Sequence, residues 1–303
     1  MECMDTLSLN GIFPPVPTPF VRDEIAADKL AANIEKWSRT GLHGLVVAGS
    51  NGEYVSLSER ERRDVVKAAV AAAPGDLPVI AGTGCESTRE TIRLTNDCAA
   101  LGARAALVVT PHYYGGRMTP DALKAHFTKV ADEADIPVLI YSVPKFTHIH
   151  LSLDLIAELS RHPNIIGIKD SAGNLNFIGE LINRVDDGFK VLVGTAGVLF
   201  GGISLGCAGG ICALANVAPG PCVAILEAVR AGDFDRARRL QLRMLPVNNA
   251  VTSIYGVPGL KAALDMLGYF GGDPRPPLRR ARVKEKLILK DILRQAELLV
   301  ADA

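Results

Sequence analysis

Asn164-Ile165-Ile166-Gly167-Ile168-Lys169-Asp170-Ser171 is the stretch on which the fold turns. An aliphatic run without polar alternation reads as a strand covered on both faces, the habit of parallel sheets flanked by helices. In such α/β proteins ligands collect beyond the carboxyl ends of the strands. Lys169, the last residue of the run, emerges at that end. Burial disfavours an ammonium ion, and an uncharged amine is a nucleophile able to attack a ketone and form an imine. The plainer alternative is a strand-end lysine that has reached solvent.

Outward from this run, short apolar stretches alternate with segments of helical period. Strands are expected at 12–16, 45–48, 79–82, 105–110, 138–141, 165–169, 191–194 and 210–213, and helices at 28–40, 58–73, 87–101, 119–134, 152–160, 175–185 and 197–205. Ser58 with Glu61 makes a capping box, and Thr119-Pro120 puts proline at a first helical position. Gly41, Gly102 and Gly206 stand just past helix ends. This alternation describes an α/β chain folded as a (β/α)8 TIM barrel. The rival, a doubly wound sheet, usually needs a Gly-rich phosphate turn after its first strand. Pro14-Pro15-Val16-Pro17-Thr18-Pro19-Phe20 cannot supply one. Beyond about Leu226 strand signals stop, and 233–248, 258–267 and 283–299 read as helices. The expected organisation is a catalytic barrel over 1–225 and a C-terminal helical region over 226–303 packed on it.

Charge is balanced, with 33 basic and 33 acidic residues and no long run of one sign. Nucleic acid and anionic membrane are therefore poor partners. Met1-Glu2-Cys3-Met4-Asp5 is acidic where a signal peptide is basic, which makes a cytoplasmic location the expectation. The six cysteines, at 3, 85, 98, 207, 212 and 222, show no CxxC spacing and read as small buried hydrophobes. Cys85 and Cys212 fall near strand ends, so a thiol nucleophile is the minor alternative. No charge interrupts Val191 to Leu226, long enough for a membrane helix, but ten glycines and prolines break it. Two strands around a buried Gly-rich helix fit it better.

In a barrel, the segments after each strand form the active face. They bring Thr18, Gly49-Ser50-Asn51-Gly52-Glu53, Thr110-Pro111-His112-Tyr113-Tyr114, Tyr141-Ser142-Val143-Pro144, Lys169-Asp170-Ser171 and Gly194 to one end. Imine chemistry needs a group that moves protons. Tyr141, ending the strand beside Lys169, is the candidate, with Tyr113 and Ser50 as relays. Backbone N–H groups of the Gly49–Gly52 loop can face an anion. A 2-oxo acid offers both the ketone and the carboxylate that this set demands. Asn51, Ser171, Gly194 and Ile211 join Ser50 as expected substrate contacts. No carboxylate spacing completes a metal site around His148 and His150, which alternate along an expected extended segment. Lys145 rivals Lys169 but follows Pro144 into a loop, Lys190 opens a strand at the opposite face, and Asp170 points away. His112 stays open as a site residue or a loop residue.

At these residues the chain resembles the N-acetylneuraminate lyase and dihydrodipicolinate synthase superfamily of class I aldolases. The marks are Pro17-Thr18-Pro19-Phe20, Gly49 to Glu53, Val109-Thr110-Pro111, Tyr141 to Pro144 and Gly167-Ile168-Lys169-Asp170-Ser171, and they span nearly the whole chain. The resemblance implies an imine at Lys169, acid/base work at Tyr141, and a pyruvate-type carboxylate at Ser50 and Asn51. It also implies no cofactor and a homo-oligomer, a dimer or dimer of dimers, in which Tyr113 reaches a neighbouring site.

Within the superfamily the chain most resembles 4-hydroxy-2-oxoglutarate aldolase, at Gly49 to Glu53, Gly84-Cys85-Glu86-Ser87-Thr88, Tyr113-Tyr114, Gly116-Arg117-Met118, Cys212 to Val217 and Pro258-Gly259-Leu260-Lys261. Dihydrodipicolinate synthases usually carry Thr-Thr at Ser50-Asn51 and an arginine at Phe146 that holds the aldehyde's carboxylate. The expected activity is therefore cleavage of 4-hydroxy-2-oxoglutarate to pyruvate and glyoxylate, at least about tenfold more efficient than condensation of pyruvate with aspartate semialdehyde. The synthase is the alternative, and a non-catalytic barrel binding 2-oxo acids is the alternative of another class.

Overall fold

A computed structural model describes residues 7–299; Cys3 and the acidic start at Met1–Asp5 lie outside the described residues. Eight parallel strands form one sheet: β1 Ile12–Phe13, β2 Leu45–Val47, β3 Val79–Gly82, β4 Ala105–Val109, β5 Val138–Ser142, β6 Ile165–Asp170, β7 Lys190–Val193 and β8 Gly209–Ile211. From β2 onward each pairs with the next, and β8 pairs with β1. Closure comes just after β1, where the Val16 N–H donates to the Val46 carbonyl and the Val46 N–H to that of Pro14. The first strand is shorter than expected because Pro14 and Pro15 have no N–H to give the ladder. The parallel sheet and alternating helices make the expected (β/α)8 barrel.

The expected helices are present, with ends moved by a few residues. Ser58 caps the helix Glu59–Ala72 through the capping box with Glu61, and Thr119 caps Pro120–Glu133 with proline at its start. Two helices were not expected. Pro219–Arg230 lies where the sequence shows Pro219-Gly220-Pro221; the first backbone N–H groups of a helix have no partner within it, so prolines there cost little. The expected division at 225/226 falls inside this helix. Pro144–Thr147 is a single helical turn where an extended loop was expected. The helix Phe234–Asn249 packs on Pro219–Arg230, runs into a π-helical turn at Ala250–Ile254, and is followed by Gly256–Met266 and Val283–Gln295. Between Val191 and Leu226 lie strands and short helices, and among the described residues no helix is long and apolar enough to cross a membrane.

Two cores result. The larger lies between strands and helices and includes Ile140, Ile165 and Ile168. The smaller fills the barrel, with Phe13, Val46, Ile80, Leu107, Leu139, Tyr141, Leu192 and Ile211 among its members. Strand side chains alternate between these faces. Strict alternation from Ile165, which faces outward, would also send Lys169 outward. A bulge prevents this: Val138 pairs with Ile165 but Leu139 pairs with Gly167, so Ile166 is the extra residue. The register then sets Lys169 beside Tyr141 and Leu192, both inward. Gly167 permits this course, since a Cβ there would lie 2.4 Å from the Lys190 carbonyl oxygen.

Candidate active site

A cavity of about 320 Å³ opens beyond the carboxyl ends of the strands. Six of the eight expected site residues line it: Ser50, Asn51, Tyr141, Lys169, Ser171 and Gly194. Lys169 is only 3% exposed, and its Nζ lies 4.0 Å from the centroid of the Tyr141 ring. The Tyr141 hydroxyl is 3.2 Å from Ser50 Oγ. Amine, phenol and alcohol thus form a short chain from the strand end to the Gly49–Gly52 loop. A hydroxyl pair of this kind can pass a proton, with either oxygen as donor.

The other two expected residues are elsewhere. Ile211 is fully buried in the barrel core and does not line the cavity. Tyr113 stands 77% exposed on an outer loop, edge-on to Tyr114 at 5.1 Å. The Glu86 carboxylate accepts the N–H groups of both His112 and Tyr113 at 2.9 Å and so fixes that loop. His112 pairs with Glu86 through its ring and does not line the cavity.

Competing nucleophiles lose their case. Burial pushes the Cys212 thiol up to about 12 and raises that of Cys85, which keeps both protonated. Asp170 is buried and accepts from the Ala172 N–H, and burial raises its carboxyl above the usual range. Lys190 opens β7, at the far end of the barrel. Among the described residues no group of three His, Cys, Asp or Glu side chains could hold a metal ion.

Lys145 requires a correction. In an extended loop Lys145 and Phe146 would point to opposite sides. On the helical turn Pro144–Thr147 both line the cavity, with Lys145 Nζ 5.7 Å from the Phe146 ring centroid. A cation therefore stands at the mouth.

The loop Gly49–Glu53 has a brace that its own residues did not reveal. Glu53 takes a left-handed conformation (φ 58°), and its carboxylate meets Lys261 Nζ at 2.5 Å with both side chains 1% exposed. Lys261 also donates to the Asp273 carbonyl and lies over the Phe20 ring, while Glu53 accepts the Arg275 N–H. Burial pulls the Lys261 ammonium below the usual lysine range, and the Glu53 charge opposes that pull. On the same loop, Thr18 Oγ1 donates to the Gly52 carbonyl at 2.7 Å. The sequence signal was a single lysine in the apolar helix Gly256–Met266. Removing one partner of a buried pair strands the other charge, so Lys261→Met should destabilise the fold by about 3–5 kcal/mol in urea unfolding. Lys261→Met/Glu53→Gln should recover part of that loss. A loss under about 1 kcal/mol in Lys261→Met would show that the pair does not brace the loop.

Comparison with known proteins agrees with this geometry. A family model described as the dihydrodipicolinate synthetase family matches residues 8–296. A 4-hydroxy-tetrahydrodipicolinate synthase of Methanoculleus marisnigri is 40% identical over 273 residues, 89% of this chain and 93% of that protein. The crystal structure of dihydrodipicolinate synthase from Aquifex aeolicus superposes with a TM-score of 0.90 at 32% identity, covering 95% of this chain and 98% of the other. The chloride-inhibited synthase of Acinetobacter baumannii, in complex with pyruvate, gives 0.91 at 30%, covering 95% and 99%. These relatives carry the synthase name, so the narrower likeness to 4-hydroxy-2-oxoglutarate aldolase finds no support in them. The chain belongs to the dihydrodipicolinate synthetase family, enzymes of the class I aldolase superfamily that work through a lysine imine with pyruvate and without an external cofactor.

Proposed function

We propose that the chain joins pyruvate to aspartate semialdehyde, the synthase reaction. Lys169 attacks the pyruvate ketone, and loss of water leaves an imine. The protonated imine draws electrons from the neighbouring methyl, which gives up a proton and becomes an enamine carbon. That carbon attacks the aldehyde, and Tyr141 delivers a proton to the oxygen that becomes the new hydroxyl. Ser50 passes protons to Tyr141, and Ser50, Asn51, Ser171 and Gly194 surround the pyruvate carboxylate. Hydrolysis or internal attack on the imine frees Lys169.

The observation that carries this reading is the register that places Lys169 beside Tyr141, with Ser50 in reach of the phenol. Lys145 at the mouth supplies the cation that Phe146 does not, which is why the reading moves from cleavage to condensation. The cleavage of 4-hydroxy-2-oxoglutarate is the second reading, favoured by Phe146 where the synthases place arginine. The two are decided on one preparation. Condensation should exceed cleavage in kcat/KM by at least about tenfold, or ~1.4 kcal/mol. Faster cleavage would return the assignment to the aldolase.

The proposal includes a cytoplasmic homo-oligomer, a dimer of dimers. Tyr113 and Tyr114, edge-on to each other, are 71% or more exposed, a pair suited to cover by a second copy. Tyr113 from that copy would complete the proton relay.

A further inference from the structure

The mechanism above leaves one wall of the cavity without a task. The end of the helix Phe234–Asn249 and the π-helical turn Ala250–Ile254 contribute Asn248, Asn249, Thr252 and Ser253 to it. Asn248 is 3% exposed, and its Oδ1 is buried without a hydrogen-bond partner among the described residues. Its Nδ2 faces Asn249 Oδ1 at 3.5 Å, which leaves the oxygen as the end that lacks a donor. A buried acceptor of this kind is costly unless something donates to it. The turn carrying it is a π-helix, a rare form that recurs at functional sites.

We infer that Asn248 is a specificity residue that accepts a hydrogen bond from the amino group of the second substrate. This rests on the synthase reading and names the part of the aldehyde that the wall recognises. Thr252 Oγ1 donates to the Asn248 carbonyl and Ser253 Oγ to that of Asn249, so both hydroxyls spend their hydrogens on the backbone and keep oxygen lone pairs free. The wall is rich in acceptors, which suits an ammonium with three N–H groups. Among the described residues no carboxylate lines the cavity. A carboxylate there would hold an ammonium more strongly but would also pair with Lys169. Neutral acceptors avoid that capture. Lys145 at the mouth suits the carboxylate of the same substrate. An α-amino-acid aldehyde offers both groups, whereas glyoxylate has no donor for Asn248.

The test compares aspartate semialdehyde with succinate semialdehyde, which lacks only the amino group. The wild type should favour the amino-bearing aldehyde in kcat/KM by at least about tenfold, the scale set by one unpaired buried acceptor. In Asn248→Leu that ratio should fall to about one, while borohydride still traps pyruvate on Lys169 and shows the variant folded. Asn248→Asp, which keeps an acceptor, should retain the preference. An unchanged ratio in Asn248→Leu, or an equal loss on both aldehydes, overturns the inference and leaves the imine reading standing. A wild type with no pyruvyl adduct at Lys169 would instead overturn the imine reading and this inference with it.

Discussion

Borohydride added to the enzyme with pyruvate should attach one reduced pyruvyl group, at Lys169, and inactivate it irreversibly. Lys169→Ala should lose roughly 10⁴-fold or more in kcat/KM while circular dichroism stays native, the scale seen when a covalent nucleophile is removed. The expectation follows from the bulge at Ile166, which turns the amine into the cavity beside Tyr141, and from its near-complete burial. Lys145 is the other amine lining that cavity, but it is exposed on the rim. An adduct mapped to Lys145, or a Lys169→Ala variant with residual activity near wild type, would mean that the covalent step is misassigned.

Tyr141→Phe should lower kcat by roughly 10²–10⁴, the range for general acid/base catalysis, with KM little changed. The phenol lies 3.2 Å from Ser50 Oγ, and the Tyr141 ring sits directly below the amine, so phenylalanine keeps the packing and removes only the hydroxyl. Trapping at Lys169 should continue in this variant, only more slowly. Near-normal turnover would move the proton transfers to Ser50, to Tyr113 of a neighbouring subunit or to water.

Most of the barrel was legible because its strands are closed apolar runs separated by capped amphipathic helices. Tyr141 and Lys169 were legible because each ends such a run. What could not be read was phase. Nothing in Ile165-Ile166-Gly167 says that Ile166 will be skipped by the neighbouring strand, because the skip is a matter of pairing between strands, and the room it needs beside the Lys190 carbonyl shows only in the folded chain. Pro144 hid a helical turn and Pro219-Gly220-Pro221 a whole helix, since proline reads as a breaker unless the start of the helix is already known. Ile211 was expected among the substrate contacts, but its side chain turns into the barrel core. Lys261 and Glu53 lie 208 positions apart, and only the folded chain makes them one ion pair.

The turn Pro144–Thr147 has a consequence for descent. Lys145 and Phe146 are exposed and stand beyond the strand ladder, and exchanges at such positions usually shift stability by no more than about 0.5 kcal/mol. Gly194 is the opposite case, because a Cβ there would fall 1.9 Å from Ser171 Oγ. A lineage carrying this gene can therefore change the rim with little loss of stability while purifying selection holds the floor. New aldehyde partners become reachable by single codon changes, and the inherited handling of pyruvate survives each of them.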